Sequence, residues 1–419
     1  MMPGILQSVL GLGAIVALAW VFSENRRAFP LGTVIVGIAI QLGLALLLLK
    51  VPLARQGILA LNSVVEALTQ ATAAGTSFVF GYVGGGKPPF EVTNPANAYS
   101  LAFQALPLVL VISALSALLW YWRVLDRVTK GFSFLLRKSM RLGGAVGLAT
   151  AANAFLGMVE SPLLIRPYLR KLSRAELFMV MTVGLATVAG TVLVLYASFL
   201  QNTVPGALGH ILVASLISLP AAILVSRVML PEAEGEVPTG VGDDVPYLEY
   251  QSSMDAVTQG TMEGLTLLLN ILAMLIVMVA LVALANILLG LLPDVAGATL
   301  TAQRIMGWVF SPLVWLMGVP AGEMQTAGQL MGEKTILNEF IAYVDLGNLP
   351  PGTLSERSTL IMVYAMCGFA NFGSVGIMIG GMTAMAPERR AEIVSLALRA
   401  LVSGTLATSM TGAIVGIVT

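Results

Sequence analysis

Cysteine and histidine are almost absent from this chain of 419 residues, with Cys367 and His210 the sole examples. One thiol excludes disulfides, thiolate zinc sites and iron–sulfur clusters; one imidazole excludes paired haem ligation and HExxH chemistry. Charge is scarce too, at 11% of residues, against about 25% in an ordinary soluble protein. The 22 basic and 22 acidic side chains cancel, so no bulk positive field attracts nucleic acid. What remains is apolar, 57% of the chain. So few charges cannot cover a chain of this length in water, and its solvent must be largely lipid. The 43 glycines and 20 prolines are many for plain spanning helices and point to broken ones.

Crossing about 30 Å of hydrocarbon takes near 20 apolar residues. Windows of that kind fall at 4–22, 31–50, 100–121, 176–200, 208–230, 266–292, 358–382 and 391–418. They predict an all-α integral membrane protein with eight transmembrane helices. No Lys or Arg precedes the first window, whereas Arg26 and Arg27 follow it, so it reads as a retained span with its N-terminus outside. Eight spans from that start place fifteen Lys and Arg in inside loops against six outside, Lys334 among the six, and support termini that both face outward.

Three apolar stretches are not clean spans. Residues 56–72 carry Gln56, Asn62, Glu66 and Gln70 along one side and predict an interfacial helix over about 54–73. Residues 142–170 and 303–345 are interrupted by Gly, Pro and a carboxylate, and each leaves on the side it entered. They read as two re-entrant helical hairpins, one opening inside and one outside. Residues 231–255 are acidic and rich in Pro and Gly, as expected of a cytoplasmic connector. The predicted order is scaffold spans within 1–130, a first transport repeat over 131–230, the connector, a scaffold span over 256–299 and a second transport repeat over 300–419.

The two halves repeat. Gly184-Leu185-Ala186-Thr187 aligns with Gly368-Phe369-Ala370-Asn371, and each follows a hairpin through a Ser/Glu helix start, at Ser173–Glu176 and Ser355–Glu356. An odd number of spans separates the copies, so they lie inverted. Inverted repeats with discontinuous helices mark a secondary transporter whose site sits near the midplane.

Within the hairpins, Glu160 and Glu323 each stand beside a Gly/Pro break. A carboxylate at membrane depth costs at least about 2.5 kcal/mol and usually has a role; at a hydrated hairpin mouth it would only cap a helix. Asn371 and Ser374 share one helix face, either binding solute or gluing helices together. Asn153 and Thr187 supply neutral oxygens suited to an alkali cation, or simply pack. His210, beside Pro205 and Gly209, reads as a solvated interfacial imidazole.

From GTSFVFG (75–81) through SPLLIRPYL (161–169) to NEFIAY (338–343), CGFAN (367–371) and APERR (386–390), the chain resembles the concentrative nucleoside transporter family. The resemblance implies a homotrimer in the cell (inner) membrane. Each protomer would have a scaffold of spans one, two, three and six. A transport domain of two hairpins and spans four, five, seven and eight would move as an elevator. The resemblance further implies ribose contacts at Glu323, Asn371 and Ser374 with Phe369 beside them. Base-side contacts would fall on Gly157, Met158, Val159, Glu160 and Val192. Sodium ligands would be Asn153, the carbonyls of Leu156 and Val188, and Thr187. In two places the chain departs from the family pattern. Gly-Gln-Thr-Glu appears as Gly157-Met158-Val159-Glu160, losing two groups that hydrogen-bond the base, and the serine at the ion site is Thr187.

The leading expectation is nucleoside uptake coupled to sodium, with protons as the alternative. No basic residue falls at the motif positions, which disfavours phosphorylated substrates. An intramembrane enzyme using Glu160 and Glu323 as acid and base lacks a nucleophile or metal site, and a passive channel does not need inverted repeats. Met158 and Val159 predict broad or size-shaped base selectivity, because apolar contacts separate solutes by only about 1–3 kcal/mol per methylene-sized difference.

Overall fold

The computed structural model describes residues 4–91, 100–201, 203–232, 239, 250–295 and 297–419. The chain begins with three helices, α1 (Gly4–Val21), α2 (Leu31–Lys50) and α3 (Pro52–Phe80). A short π-helical entry, Leu101–Ala105, leads into α4 (Leu108–Tyr121). The first repeat follows as α5 (Val124–Met140), α6 (Gly144–Ala152), the single turn α7 (Glu160–Leu163), α8 (Arg174–Ala186), α9 (Gly190–Leu200) and α10 (Ala207–Met229). Then α11 (Ser253–Leu289) precedes the second repeat of α12 (Ala302–Leu316), α13 (Met324–Ile336), α14 (Glu339–Asn348), α15 (Glu356–Met366), α16 (Phe372–Met385) and α17 (Arg390–Val418). The chain is all-helical in class.

Among the described residues, seven of the eight predicted windows coincide with helical segments that are together long and apolar enough to cross a membrane. The eighth, 358–382, is broken between α15 and α16. The window at 176–200 is broken as well, between α8 and α9. Both helix starts seen in the sequence form. Ser173 and Glu176 make a reciprocal capping box, and Ser355 accepts the amide of Ser358, satisfying donors that the first turn leaves open.

Burial separates the helices. α8, α10 and the body of α17 are almost wholly enclosed, whereas α11 is exposed along nearly its whole length. An apolar helix buried in its own protein forms the core of a bundle; one exposed over most of its surface needs lipid or another chain around it. α11 packs on α4, α1 on α17 and α2 on α10. The α4–α11 contact is close because Gly260 and Gly264 lie over Ser113 and Ala117, the small-residue packing common between membrane helices.

Two expectations change, at Lys334 and His210, and two segments gain definition. The interfacial segment 54–73 belongs to a longer helix, α3. The basic stretch after α4 is an amphipathic helix, α5, which buries Asp126, Thr129, Ser133, Leu136 and Met140 along one side. Lys334, counted among the outside charges, is fully buried, its Nζ donating to the Ala365 carbonyl at 3.2 Å and the Thr408 hydroxyl at 2.9 Å. His210 is half-buried with its Nδ1 3.0 Å from the Tyr364 hydroxyl. Most of the 231–255 connector lies outside the described residues. Within it, Thr239 donates its amide and hydroxyl to Glu176 at 2.8 and 2.6 Å.

Candidate functional site

Two hairpin tips and two helix breaks converge in the middle of the bundle. α6 stops at Asn153 and the chain turns before α7 opens on Glu160. α13 stops at Ile336 and α14 opens on Glu339, capped by Asn338, whose Oδ1 accepts the Ile341 amide at 2.9 Å. Glu160 and Glu339 thus hold the same place in the two repeats, first residue after the tip. The broken spans meet each other, for the Phe369 amide donates to the Thr187 carbonyl at 3.1 Å. Gly368 allows that approach: a Cβ there would sit 3.0 Å from the Ala186 carbonyl and 2.7 Å from Thr408 Cγ2.

Asn153 and Thr187, expected as cation ligands, gather at the first break. Asn153 and Thr187 are buried and hydrogen-bonded to each other, and both bond the Val183 carbonyl, at 3.0 and 2.9 Å. Ser161, which the sequence pattern did not single out, donates to Asn153 Oδ1 at 2.9 Å. The carbonyl-bearing residues Leu156 and Val188 adjoin the cluster in sequence. α6 and α8 both end here, and helix C-termini carry partial negative charge. Neutral side-chain oxygens, freed carbonyls and two C-termini form the donor set that suits an alkali cation at a broken helix. No group of three or more His, Cys, Asp or Glu among the described residues offers a site for a transition metal.

Beside this cluster opens a cavity of about 450 Å³, within the about 300–1,000 Å³ usual for small-molecule sites. Of the nine predicted substrate residues, eight line it: Gly157, Met158, Val159, Glu160, Val192, Phe369, Asn371 and Ser374. Glu323 does not. Its carboxylate accepts the backbone amide and the hydroxyl of Ser355, both at 3.1 Å, and so caps the start of α15. Gly318-Val319-Pro320 looks like a hairpin tip in sequence, but that break separates α12 from α13. The tip lies at Leu337–Asn338.

Where Glu323 was expected, the cavity holds Glu339, buried and doubly held. Tyr196 Oη donates to its Oε1 at 2.7 Å, and Asn371 Nδ2 donates to its Oε2 at 2.9 Å. Asn371 meanwhile caps α16, its Oδ1 accepting the Ser374 amide at 2.7 Å. Glu339 sits at the N-terminus of α14, where a negative charge is favoured. These partners occupy only part of the acceptor capacity of a carboxylate, so Glu339 can still accept hydroxyl donors from a neutral polyol. Glu339 had a visible signal: the Asn338-Glu339 pair stands in the NEFIAY segment and repeats the post-tip position of Glu160. Tyr196 had none, since a lone tyrosine in an apolar span looks like packing.

The comparisons with known proteins agree with this geometry. Family models described as the N-terminus and C-terminus of Na+ dependent nucleoside transporters match residues 10–83 and 210–416, and one described as nucleoside recognition matches 102–203. The nucleoside permease NupC of Helicobacter pylori is 34% identical, over 98% of this chain and 97% of its own. The chain belongs to the concentrative nucleoside transporter family. It is a multi-pass membrane protein that transports nucleosides, and not an enzyme. Solute carrier family 28 member 3 of Homo sapiens is 33% identical over 97% of this chain and 59% of its own longer sequence. The structure of CNTnw in an inward-facing substrate-bound state superposes with a TM-score of 0.89 at 34% identity, covering 99% of both chains. A doubly substituted CNTnw in an outward-facing state gives 0.91 at 33% identity, over 99% of this chain and 97% of that one. In this family setting, the cavity and the oxygen cluster are candidate sites for the nucleoside and its coupling ion.

Proposed function

We propose that the protein imports nucleosides by sodium symport through an elevator movement, as a homotrimer in the cell inner membrane with both termini outside. The observation that carries the reading is the contact between the two broken spans. Thr187 contributes its hydroxyl to the oxygen cluster and its carbonyl to the Phe369 amide. Two residues on, Asn371 reaches into the cavity and holds Glu339. A cation bound by Asn153, Thr187 and the Leu156 and Val188 carbonyls, with Ser161 steadying Asn153, would order residues 187–189. Through Phe369 that order extends to the groups we assign to ribose, now Glu339, Asn371 and Ser374. Each ligand then lowers the ordering cost of the other, which is positive coupling.

In this reading Gly157, Met158, Val159, Glu160 and Val192 face the base, and α4 with α11 forms the stationary wall. α1 and α2, first grouped with that wall, pack on α17 and α10, which favours their travelling with the transport domain. Sodium alone need not be charge-balanced by a titrating group, because the ligand oxygens are neutral. Uptake by proteoliposomes under a sodium gradient and, separately, a pH gradient tests the ion: concentrative uptake on sodium alone is expected, and equal uptake on protons in sodium-free buffer would replace sodium by the proton.

A further inference from the structure

The cavity wall opposite hairpin 1 is made by α11, which in sequence is a plain apolar span. Three of its polar side chains, Glu263, Thr266 and Asn270, line the cavity. They recur at i, i+3 and i+7 and so share one face, beside the Gly260–Gly264 face that packs on α4. A carboxylate on a membrane-spanning helix is costly to keep there and marks a functional position.

Its place along the cavity is defined by a smaller neighbour. A second cavity, of about 120 Å³, shares Gly157, Glu160, Thr191, Glu263 and Leu267 with the first, and is not lined by Glu339, Phe369 or Asn371. Glu263 therefore stands at the Glu160 end, away from the Glu339–Asn371 end. Glu160 and Glu263 both line the part that the two cavities share. On the proposed reading, on which this inference rests, that end receives the base. Hairpin 1 presents to it the thioether of Met158, the methyl groups of Val159 and the carboxylate of Glu160, which lies back against Gly157, while Val159 packs toward Gly381 of α16.

We propose that Glu263 reads the base edge, so that this transporter selects nucleosides whose base carries an exocyclic amino group. An ionised carboxylate only accepts hydrogen bonds. The amines of cytosine and adenine donate one, and guanine offers N1–H and its amine side by side, matching the two carboxylate oxygens. Uracil and hypoxanthine set a carbonyl oxygen where cytosine and adenine carry the amine, so acceptor faces acceptor. A mismatch of that kind discriminates far more strongly than a missing methylene.

The test is competition for labelled uptake into proteoliposomes by three pairs differing in the amino group: cytidine and uridine, guanosine and inosine, adenosine and purine riboside. A hydrogen bond to a charged group implies that the amino member of each pair binds about tenfold or more tightly in the native protein. Glu263→Ala should bring each ratio within about threefold. Glu263→Gln keeps the volume and can donate to a carbonyl, so it should turn the first pair toward uridine. Its uridine uptake also shows that the variant is folded. Native ratios near one, or native ratios retained in both variants, would overturn the assignment while leaving nucleoside transport intact. Absence of uptake of any nucleoside by the native protein would overturn both.

Discussion

The amide of Phe369 donates to the carbonyl of Thr187 at 3.1 Å, joining the break in one spanning helix to the break in its inverted counterpart. One residue of the pair belongs to the oxygen cluster and the other to the nucleoside cavity. On the proposed reading, coupling between ion and nucleoside rests on this link.

Thr187→Val removes an oxygen from the cluster and keeps the side-chain shape. The hydroxyl now accepts from Asn153 and donates to the Val183 carbonyl. Losing a neutral partner of this kind costs about 1 kcal/mol, and a lost ion contact adds to it. The sodium concentration for half-maximal uptake should rise by about tenfold, measured at saturating nucleoside. Unchanged sodium dependence would remove Thr187 from the ion site.

Glu339→Gln and Glu323→Gln should behave oppositely. Glu339 lies in the cavity, bonded to Tyr196 and Asn371, whereas Glu323 caps α15. The first change should abolish most uptake, since hydrogen bonds to a charged group are worth about 1.5–3 kcal/mol each. The second should cost at most a few-fold through stability, as loss of a cap does. A dideoxynucleoside, lacking the hydroxyls assigned to Glu339, should compete at least about tenfold more weakly than its parent. Equal competition would contradict the ribose assignment.

Tyr196→Phe tests the support of that carboxylate. It deletes the 2.7 Å donor to Glu339 Oε1 and leaves the ring in place. Nucleoside affinity should fall about three- to tenfold, in line with about 1 kcal/mol for one hydrogen bond. The sodium dependence should stay near native, because the oxygen cluster is untouched.

Met158→Gln with Val159→Thr restores two hydrogen-bonding groups on the hairpin side of the base. Competition constants for uridine, cytidine, adenosine and guanosine should spread further apart than in the native protein. An identical spread would mean that these positions do not touch the base.

The spans and the inverted repeat are legible in the sequence through its periodic apolar windows, paired Ser/Glu helix starts and Gly/Pro-interrupted hairpins. So are Asn153, Thr187, Asn371 and Ser374, because polar residues beside small ones in an apolar span are rare and conspicuous. The second hairpin tip is hidden for a physical reason. Gly318 and Pro320 end α12 and turn the chain just as a tip would, and only tertiary packing shows that the next turn, at Leu337, is the one in the cavity. Glu263 is hidden because, following Asp255 near the start of an apolar helix, it reads as part of the hydrated end; α11 begins at Ser253, which places Glu263 nearly three turns inside it.

The most direct test of coupling is substrate-dependent sodium binding by the purified protein in sodium-controlled buffer. If the Thr187–Phe369 contact couples the two sites, a saturating nucleoside must tighten sodium binding, and sodium must tighten nucleoside binding by the same factor, about 5–150-fold for an ordinary coupling energy. Sodium and nucleoside affinities that ignore one another would contradict it.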